Sequence, residues 1–584
     1  MVYLNDYTTF AMPSSLTKTT SISIEGTPIK AFRTLTITQS VHTYHHFELA
    51  FEYQQLEDQF TFDSSSKKSL VGKNINIVVE GEAAGMAKLE FNGVIAEAEL
   101  FQNDKAFLGS IVVRGHGLPY KLDTVPGISA YYDMSVTDIV NKCLSAYSSP
   151  KSVSAPVGPS HTLPFAVRYR ETYWNFLRRL AYDYGAWLYY DGQKLHFTST
   201  LGGSPVALTF GLNLHNLRSG TRAVPQFVSQ YDYLALDDDM PTGEGTANAA
   251  LFASMTENPQ PGRRRAVAAA DVSKFAQNRS ASHGADSSYV TGEADVPGIS
   301  VGTLVRIGDQ RSGGSLGDFT VVEVTHRIDK AQRYHNSFRA IPATVKVMPM
   351  GPLYQPVAEP QLATVIDNKD PRKLGRVQVQ LQWMKAPEKT PWLRVMTPHY
   401  GLDTKQEKSR GFLFVPEIKD QVMVGFQHGD PERPFVFGAM PHGKNAAVPD
   451  PAVQEHHLSV NSGTTVTFLD TQTKHELHLQ VDEKNLLTIV VDSGQGTITL
   501  NASKAIALKA TQEITLDAPK ITLTGDNVSI KGTAKVAIAG AQIDIKADAE
   551  LKEAGATVKI TGTGMATLES SGMTTVKGSV VMIN

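Results

Sequence analysis

The sequence holds a single cysteine, Cys143, among 584 residues. A disulfide framework within the chain is therefore excluded, and rigidity must come from packing and backbone pairing. Cys143 stands in SVTDIVNKCLSAY beside Ile139, Val140 and Leu144 at helical spacing, so a buried thiol is expected rather than a nucleophile. Charge of one sign is missing too. Lys and Arg number 55 against 58 Asp and Glu, a formal net charge of −3 that offers nucleic acid or an anionic membrane surface no basic field. No run approaches the roughly 18 apolar residues of a membrane helix. The opening MVYLNDYTTFAMPSSLTKTT has no basic residue before Lys18, so no signal peptide is expected and the product is expected to be made soluble in the cytoplasm. Walker-type GxxxxGK[ST] and HExxH strings are absent.

Aromatic residues and proline nearly vanish from the last quarter. Trp174, Trp187, Trp383 and Trp392 all precede residue 400, and after Pro451 only Phe468 and Pro519 remain of aromatics and prolines. Such a segment cannot build a round hydrophobic core. What it has is a beat. In NASKAIALKATQEITLDAPKITLTGDNVSIKGTAKVAIAG and its flanks, apolar–x–apolar triplets recur as Ile498/Leu500, Ile506/Leu508, Ile514/Leu516, Ile521/Leu523, Val528/Ile530, Val536/Ile538 and Ile543/Ile545. Their first members lie 8, 8, 7, 7, 8 and 7 residues apart. The beat weakens over EAGATVKITGTGMATLESSGM and is carried by Val558/Ile560, Ala566/Leu568 and Val580/Met582.

Asn, Lys, Thr, Gly, Asp and Ala fill the gaps, residues that turn or face water. A sustained period of this kind marks stacked β repeats, each a short strand with two inward side chains and a corner. Two apolar side chains per repeat are too few to seal a wide single-chain β-helix against the cost of ordering its backbone. Three chains wound into a narrow triangular prism can share them at one axis, so the segment is expected to fold on trimerisation. With strands stacked about 4.8 Å apart, eleven or twelve repeats give a rod of roughly 50–60 Å. Such a rod has no pocket, and its evident use is to push.

Two composition breaks divide the chain into roughly 1–350, 351–445 and 446–584: the proline-rich PMGPLYQPVAEPQ near Met350 and the linker-like GKNAAVPDPAV. The first region alternates apolar and polar residues in TLTITQS (34–40), INIVVEG (75–81), AKLEFNGVIAEAEL (87–100) and GSIVVRGHG (109–117), as half-buried antiparallel strands do. Within it, Tyr173, Phe176, Leu177, Leu180 and Tyr184 form a helical stripe, with Thr172 placed as N-cap and Gly185 as stop. WLYY-DG-QKLHF follows, where Asp191-Gly192 suits a two-residue hairpin turn.

The stretch from Asp237 to Arg265 has the composition of a long surface loop, and Arg263, Arg264 and Arg265 read as a solvated face. In the middle region, GRVQVQLQW places Val377, Val379, Leu381 and Trp383 on one face and Arg376, Gln378, Gln380 and Gln382 on the other. With WLRVMTP, GFLFVP and DQVMVGFQHG it supplies the five or so strands of a small closed barrel such as an OB fold.

The middle-region segments ATVIDNKDPRKLGRVQVQLQW, PWLRVMTP and RGFLFVPEIKDQVMVGFQHGDPERPFVFGAMPHG resemble the OB segment of VgrG, the valine–glycine repeat spike of type VI secretion systems. RYRETYWNFLRRLAYDYGAWLYY and SVTDIVNKCLS are similar to the hub portion of the same family. The resemblance implies a mainly β chain: a β-barrel tail hub, an OB barrel and a C-terminal intertwined triangular β-helix. It further implies a homotrimer docked on a hexameric Hcp-like tube ring, with baseplate components around it and effectors as passengers. A PAAR-type cone would sit on the tip residues Val580, Val581, Met582, Ile583 and Asn584. The spike would wait at the baseplate in the bacterial cytoplasm, and meet a target membrane only on firing. About 17 residues separate barrel and needle, so no lysozyme insertion is expected, nor an effector domain behind Asn584. The first 70 residues, with SVHTYHHFELAFEYQQLED, match loosely and leave open an atypical secretion subtype or the spike of an extracellular injection particle.

No catalytic, cofactor or metal site is expected. His475 and His478 in KHELHLQ point to opposite faces of a strand, as do the adjacent His45 and His46, and both pairs read as ordinary surface or interface histidines. Asp237, Asp238 and Asp239 lack the spacing of a calcium loop. The competing class is a phage-like or particle tail spike that binds or degrades envelope glycans, which needs paired carboxylates and aromatic platforms that the needle does not have.

Overall fold

Residues 18–52, 70–81, 88–101, 109–154, 157–224, 228–245, 258–310, 313–403, 408–444, 455–470, 475–481, 487–492 and 496–583 are described by the structure, a computed structural model. The chain divides into two units, Met1–Val448 and Pro449–Asn584.

Alternation builds the first sheet. β1 (Thr19–Ile24), β2 (Thr27–Ile29), β3 (Thr34–Ser40), β4 (His46–Glu52), β5 (Asn74–Glu80), β6 (Leu89–Phe101) and β7 (Ser110–Gly117) run antiparallel in the order β3-β4-β7-β6-β5-β1-β2. Leu35 and Ile37 of β3, Phe47, Leu49 and Phe51 of β4, and Ile75, Ile77 and Val79 of β5 all point into the core, leaving the other face polar.

The connecting layer is β8 (Gly127–Tyr131), α1 (Val136–Cys143), β9 (Lys151–Val153), β10 (Ala166–Glu171), α2 (Tyr173–Tyr184), β11 (Trp187–Tyr190) and β12 (Leu195–Thr198). α2 starts and stops where its residues dictate. The Thr172 hydroxyl accepts the Asn175 amide at 3.2 Å, and Gly185 takes φ 66° as the left-handed stop. Cys143 is buried in α1 with its sulfur 3.1 Å from the Tyr131 hydroxyl, and burial pushes the thiol up to about 12. The expected two-residue turn is instead a four-residue loop, because Tyr190 pairs with Leu195. The Asp191 carboxylate closes it, accepting the amides of Gln193 and Lys194 at 2.8 and 2.7 Å, with Gly192 at φ 104°.

A closed barrel completes the hub. Its elements fall among β13 (Val206–Phe210), β14 (Leu214–Thr221), β15 (Ser229–Tyr231), β16 (Thr242–Glu244), β17 (Gln260–Pro261), α3 (Ala269–Gly284), β18 (Ser288–Ala294), β19 (Leu304–Asp309), β20 (Ser315–Asp329) and β21 (Tyr334–Pro342). β19 pairs with both β13 and β20, closing the ring β13-β14-β18-β21-β20-β19 around Leu208, Leu214, Val305, Ile307, Val324 and Phe338. β20 serves two partners along its length. Its first half pairs with β19, and Glu323 to Asp329 pair with β3, so one strand fuses the barrel to the N-terminal sheet. Its pairing with β21 shifts register between Val321 and Glu323, a bulge where the strand changes partners.

The next barrel uses β22 (Gln361–Asp367), β23 (Gln378–Leu381), β24 (Tyr400–Asp403), β25 (Lys408–Gly411), β26 (Gln421–Phe426) and β27 (Pro434–Ala439), with the sheet order β23-β22-β26-β27. Residues 393–395 close it, since Leu393 bridges Val377 beside one edge strand and Val395 bridges Val436 in the other. GFLFVP forms no ladder beyond Gly411. Arg376 and Gln378, expected on a polar outer face, are buried: Arg376 is held by Asp370, and Gln378 is bonded to the Thr390 carbonyl and the Lys389 ammonium. This barrel shares one core with Ala130, Phe165, Val167 and Tyr169 of the hub, so residue 350 marks a change of composition and not a gap in packing.

The second unit opens with an antiparallel meander, β28 (Glu455–Ser459), β29 (Thr465–Asp470), β30 (His475–Gln480), β31 (Leu487–Asp492) and β32 (Thr497–Ala502). This replaces the expected short linker. The triplet Ile498/Leu500 belongs to β32, paired with Val491 and Ile489, and not to the repeat that follows.

Candidate functional site

Beyond β32 the backbone is extended and bends at residues 503, 511, 519, 526, 533, 541, 548, 556, 563, 571 and 579. The bends keep a spacing of seven or eight residues through the stretch whose side-chain pattern is less regular. Among the described residues of 503–583, no strand pairs with another segment of the chain. Each extended piece therefore offers a row of amide and carbonyl groups that must find partners elsewhere.

The apolar triplets are equally uncovered. Ile506, Ile514, Ile521, Val528, Val536 and Ile543 are each about half exposed, and Leu508, Leu516, Leu523, Ile530, Ile538 and Ile545 more so. Val580, Val581, Met582 and Ile583 are exposed as well, and Asn584 lies outside the described residues. So many regularly spaced exposed Ile, Leu and Val residues exceed what an isolated soluble chain presents to water.

The meander repeats the theme on a flat sheet. Cross-strand register aligns Leu458 with Val466, Val466 with Leu479, and Phe468 with Leu477, and continues through Ile489 and Val491 to Leu500 and Ile498. Strand alternation puts all of these positions on one face. Leu458, Phe468, Ile498 and Leu500 are exposed there, so among the described residues no element of the unit covers them. The opposite face carries His457, Thr467, Glu476, His478 and Thr499. His478 Nε2 lies 2.8 Å from Glu476 Oε2, and no group of three metal-ligating residues occurs among the described residues.

Where hub meets OB barrel, the sequence reading missed a buried ionic joint. Arg264 is no solvated residue. Its Nε donates to Asp183 of α2 at 2.8 Å, and one amino group donates to both oxygens of Glu432 at 3.0 Å. Arg179 donates to Glu171 at 2.8 Å and to the Val167 carbonyl at 2.9 Å. Arg433 donates to Asp232 at 2.6 Å and Asp430 at 2.9 Å, and also to the carbonyls of Gly262 and Arg264. These eight side chains are all buried, drawn from β10, α2, the loops after β15 and β17, and the DPER turn of the OB barrel. Burial, helped by Glu432, raises Asp430 to about 6. A basic triplet next to a loop gives no hint of this. The signal available was the charged DPER turn inside an otherwise apolar barrel sequence.

His45 is likewise no surface histidine. It is fully enclosed, packed against Tyr190 and Phe91, and neither ring nitrogen has a protein partner. His326 of β20 is enclosed too, bonded at Nδ1 to the Tyr334 hydroxyl at 2.8 Å. Burial depresses both to about 3. The unfolded chain takes up these protons near pH 6.5 while the folded chain refuses them, so their stabilisation is complete above that pH and is lost as pH falls towards 3. Each contributes about 1.4 kcal/mol per pH unit. Asp430 works in the opposite sense over its shorter range. Chemical denaturation at pH 7.5 and 5.0 is expected to differ by roughly 3 kcal/mol in favour of the higher pH. His45→Phe is expected to remove about 2 kcal/mol of that difference, some two thirds of it or more.

The sequence also contains two G-x-S-x-G strings where none was expected, Gly298-Ile299-Ser300-Val301-Gly302 and Gly313-Gly314-Ser315-Leu316-Gly317. The first lies in the turns between β18 and β19, and the second in the turn that leads into β20. Ser315 begins β20, and its hydroxyl donates to the Ile307 carbonyl at 3.2 Å, far from any strand-to-helix elbow. Asp237, Asp238 and Asp239 are exposed, as expected of solvated carboxylates.

Two family profiles match the first unit. The phage tail baseplate hub (GPD) profile spans residues 55–332, and the type VI secretion system/phage-baseplate injector OB domain profile spans residues 361–440. Type VI secretion system spike protein VgrG1a of Pseudomonas aeruginosa is 22% identical over 418 residues, 64% of this chain and 62% of the relative. The chain carries the baseplate hub and injector OB domains and is similar to VgrG-type spike proteins. Other VgrG relatives match shorter shares. Spike protein VgrG3 of Vibrio cholerae is 25% identical over 380 residues, 58% of this chain and 35% of the relative. The actin cross-linking toxin VgrG1 of the same species is 24% identical over 274 residues, 42% of this chain and 23% of the relative. The chain thus spans less than two thirds of the length of these curated VgrG proteins. Among solved structures, the half-lidded Francisella PdpA–VgrG complex gives a TM-score of 0.56 at 9% identity over 84% of this chain and 88% of that one. At that identity the likeness concerns the fold alone.

Proposed function

We propose that three copies of this chain form the puncturing spike at the tip of a contractile secretion or injection tube. The single observation that carries the reading is the extended segment 503–583, whose backbone groups and apolar triplets find no partner among the described residues of the chain. Two further copies supply both. Each strand pairs along the rod axis with strands of its neighbours, and the triplets meet in a dry centre. The uncovered face of the meander makes a wider prism at the base by the same logic. Every interior amide is then bonded and no lateral edge is left, which gives stiffness in compression.

Force reaches the rod through the first unit. The barrel and the fused N-terminal sheet give two β halves per hub and six per trimer, a match for a hexameric Hcp-like tube ring. The ionic joint locks hub to OB barrel. A PAAR-type tip protein seats on Val580–Asn584, baseplate components surround the hub, and effectors ride on the assembly, as a VgrG solved in complex with PdpA supports. The role is mechanical and not enzymatic, and the spike leaves the cell when the tube fires. Native mass spectrometry with negative-stain imaging of the full chain is expected to give a trimer with a thin protruding rod. A folded monomer with no rod overturns the proposal.

A further inference from the structure

We propose that the uncovered apolar rim of the OB barrel seats a neighbouring copy, receiving the neighbour's Tyr233–Met240 loop in a head-to-tail ring of three. The inference rests on the trimer proposed above and adds which surfaces meet below the rod.

The rim begins with β24 and β25, a ribbon that pairs with no third strand among the described residues. Such ribbons are marginal in water unless one face is covered. Register sets Tyr400 opposite Gly411 and Leu402 opposite Ser409, so both large side chains lie on one face, 56% and 60% exposed. Phe412 and Leu413 extend the rim and are about half exposed. Its border is basic. The exposed Arg410 lies 3.0 Å from His399 Nε2 and has no carboxylate partner among the described residues.

The loop between β15 and β16 has the opposite character. Tyr233, Leu236 and Met240 are exposed, with the exposed carboxylates of Asp237 and Asp239 among them. The loop is preformed. The Leu234 amide donates to the Asp239 carbonyl at 2.8 Å, the Tyr233 hydroxyl donates to Asp238 at 2.6 Å, and Arg394 lies over the Tyr233 ring at 5.2 Å. No hydrogen bond or ion pair joins loop and rim within one chain among the described residues.

Both surfaces need a partner and they differ in charge. A contact of rim with rim would set Arg410 against Arg410, whereas loop against rim sets carboxylates beside Arg410 and buries two apolar patches together. Unlike surfaces in contact make a heterologous interface, which is the kind that closes into a ring. Aromatic residues and arginine are also the usual anchors of such interfaces.

The test uses the full chain carrying Met240→Cys and Leu402→Cys, treated with a short bis-maleimide. The native Cys143 is buried and should stay silent. Covalent dimers and trimers are expected from the double variant and from neither single variant. A chain that is trimeric by native mass yet yields no covalent oligomer overturns this inference and leaves the trimer standing. A monomeric chain overturns both. Arg410→Asp supplies an independent readout: it should lower the thermal midpoint of the first unit in the trimer, and Asp237→Arg with Asp239→Arg added should restore it. An unchanged midpoint in Arg410→Asp counts against the charge pairing.

Discussion

Replacing Ile514 by aspartate is expected to abolish the trimer while leaving a soluble first unit. Ile514 is a first member of its triplet, and the first members are the less exposed of each pair even in the isolated chain. In the wound rod three copies of the new carboxylate would meet at the axis with no cation and no water. Burying an unpaired charge costs several kcal/mol, and three of them on the order of 10 kcal/mol. Ile521→Asp should behave the same way. The neighbouring Thr515→Asp, on the outward phase, should leave the mass of the assembly unchanged. A normal trimer from Ile514→Asp, or a lost one from Thr515→Asp, means that the inward phase is assigned wrongly.

The second large effect is expected at the joint. Arg264→Met strips Asp183 of its cation inside the protein and leaves Glu432 only Arg179, at 3.6 Å, and removing one partner of a buried pair costs about 3–5 kcal/mol. Denaturant midpoints should fall accordingly, and limited proteolysis should open the chain between hub and OB barrel. Neutralising the stranded carboxylates with Asp183→Asn and Glu432→Gln should recover more than half of the loss, because the penalty lies in the uncompensated charge and not in the missing attraction. If Arg264→Met unfolds no more easily than the parent, the joint is not what holds these two parts together.

Much of the architecture was legible because it rests on short-range rules. TLTITQS reads as a strand from its alternation and is β3. The helix stripe from Tyr173 is α2, with Thr172 and Gly185 at its ends. The seven- or eight-residue beat was legible for the same reason, since corners and strands repeat locally. What failed were the features that depend on residues distant in sequence. Arg264 looked solvated because its partners, Asp183 and Glu432, lie 81 and 168 positions away. His45 looked exposed because the rings that enclose it come from β6 and β11.

Arg376 and Gln378 alternate with apolar neighbours like an outer face, yet loops of the same barrel hold them, one at Asp370 and the other at Lys389 and Thr390. The meander is the instructive miss. HHLSV, TVTFLD, HELHLQ and TITLNA alternate as clearly as β3 does, and the turn-forming NSG, DTQTK and DSGQG stand among them. The longer rhythm behind them dominates the pattern.

That rhythm constrains how such a chain can change in length. Each inward pair from Ile506/Leu508 to Ile543/Ile545 begins two or three residues after its corner, and corners fall seven or eight residues apart, so a single residue added at a corner is absorbed there, whereas one added inside an apolar–x–apolar triplet turns a member of that pair outward. Only whole strand-plus-corner cassettes change the reach, each by about 4.8 Å. The rod is in effect a ruler with fixed graduations, and its natural and engineered variants should come in discrete sizes and not in a continuum.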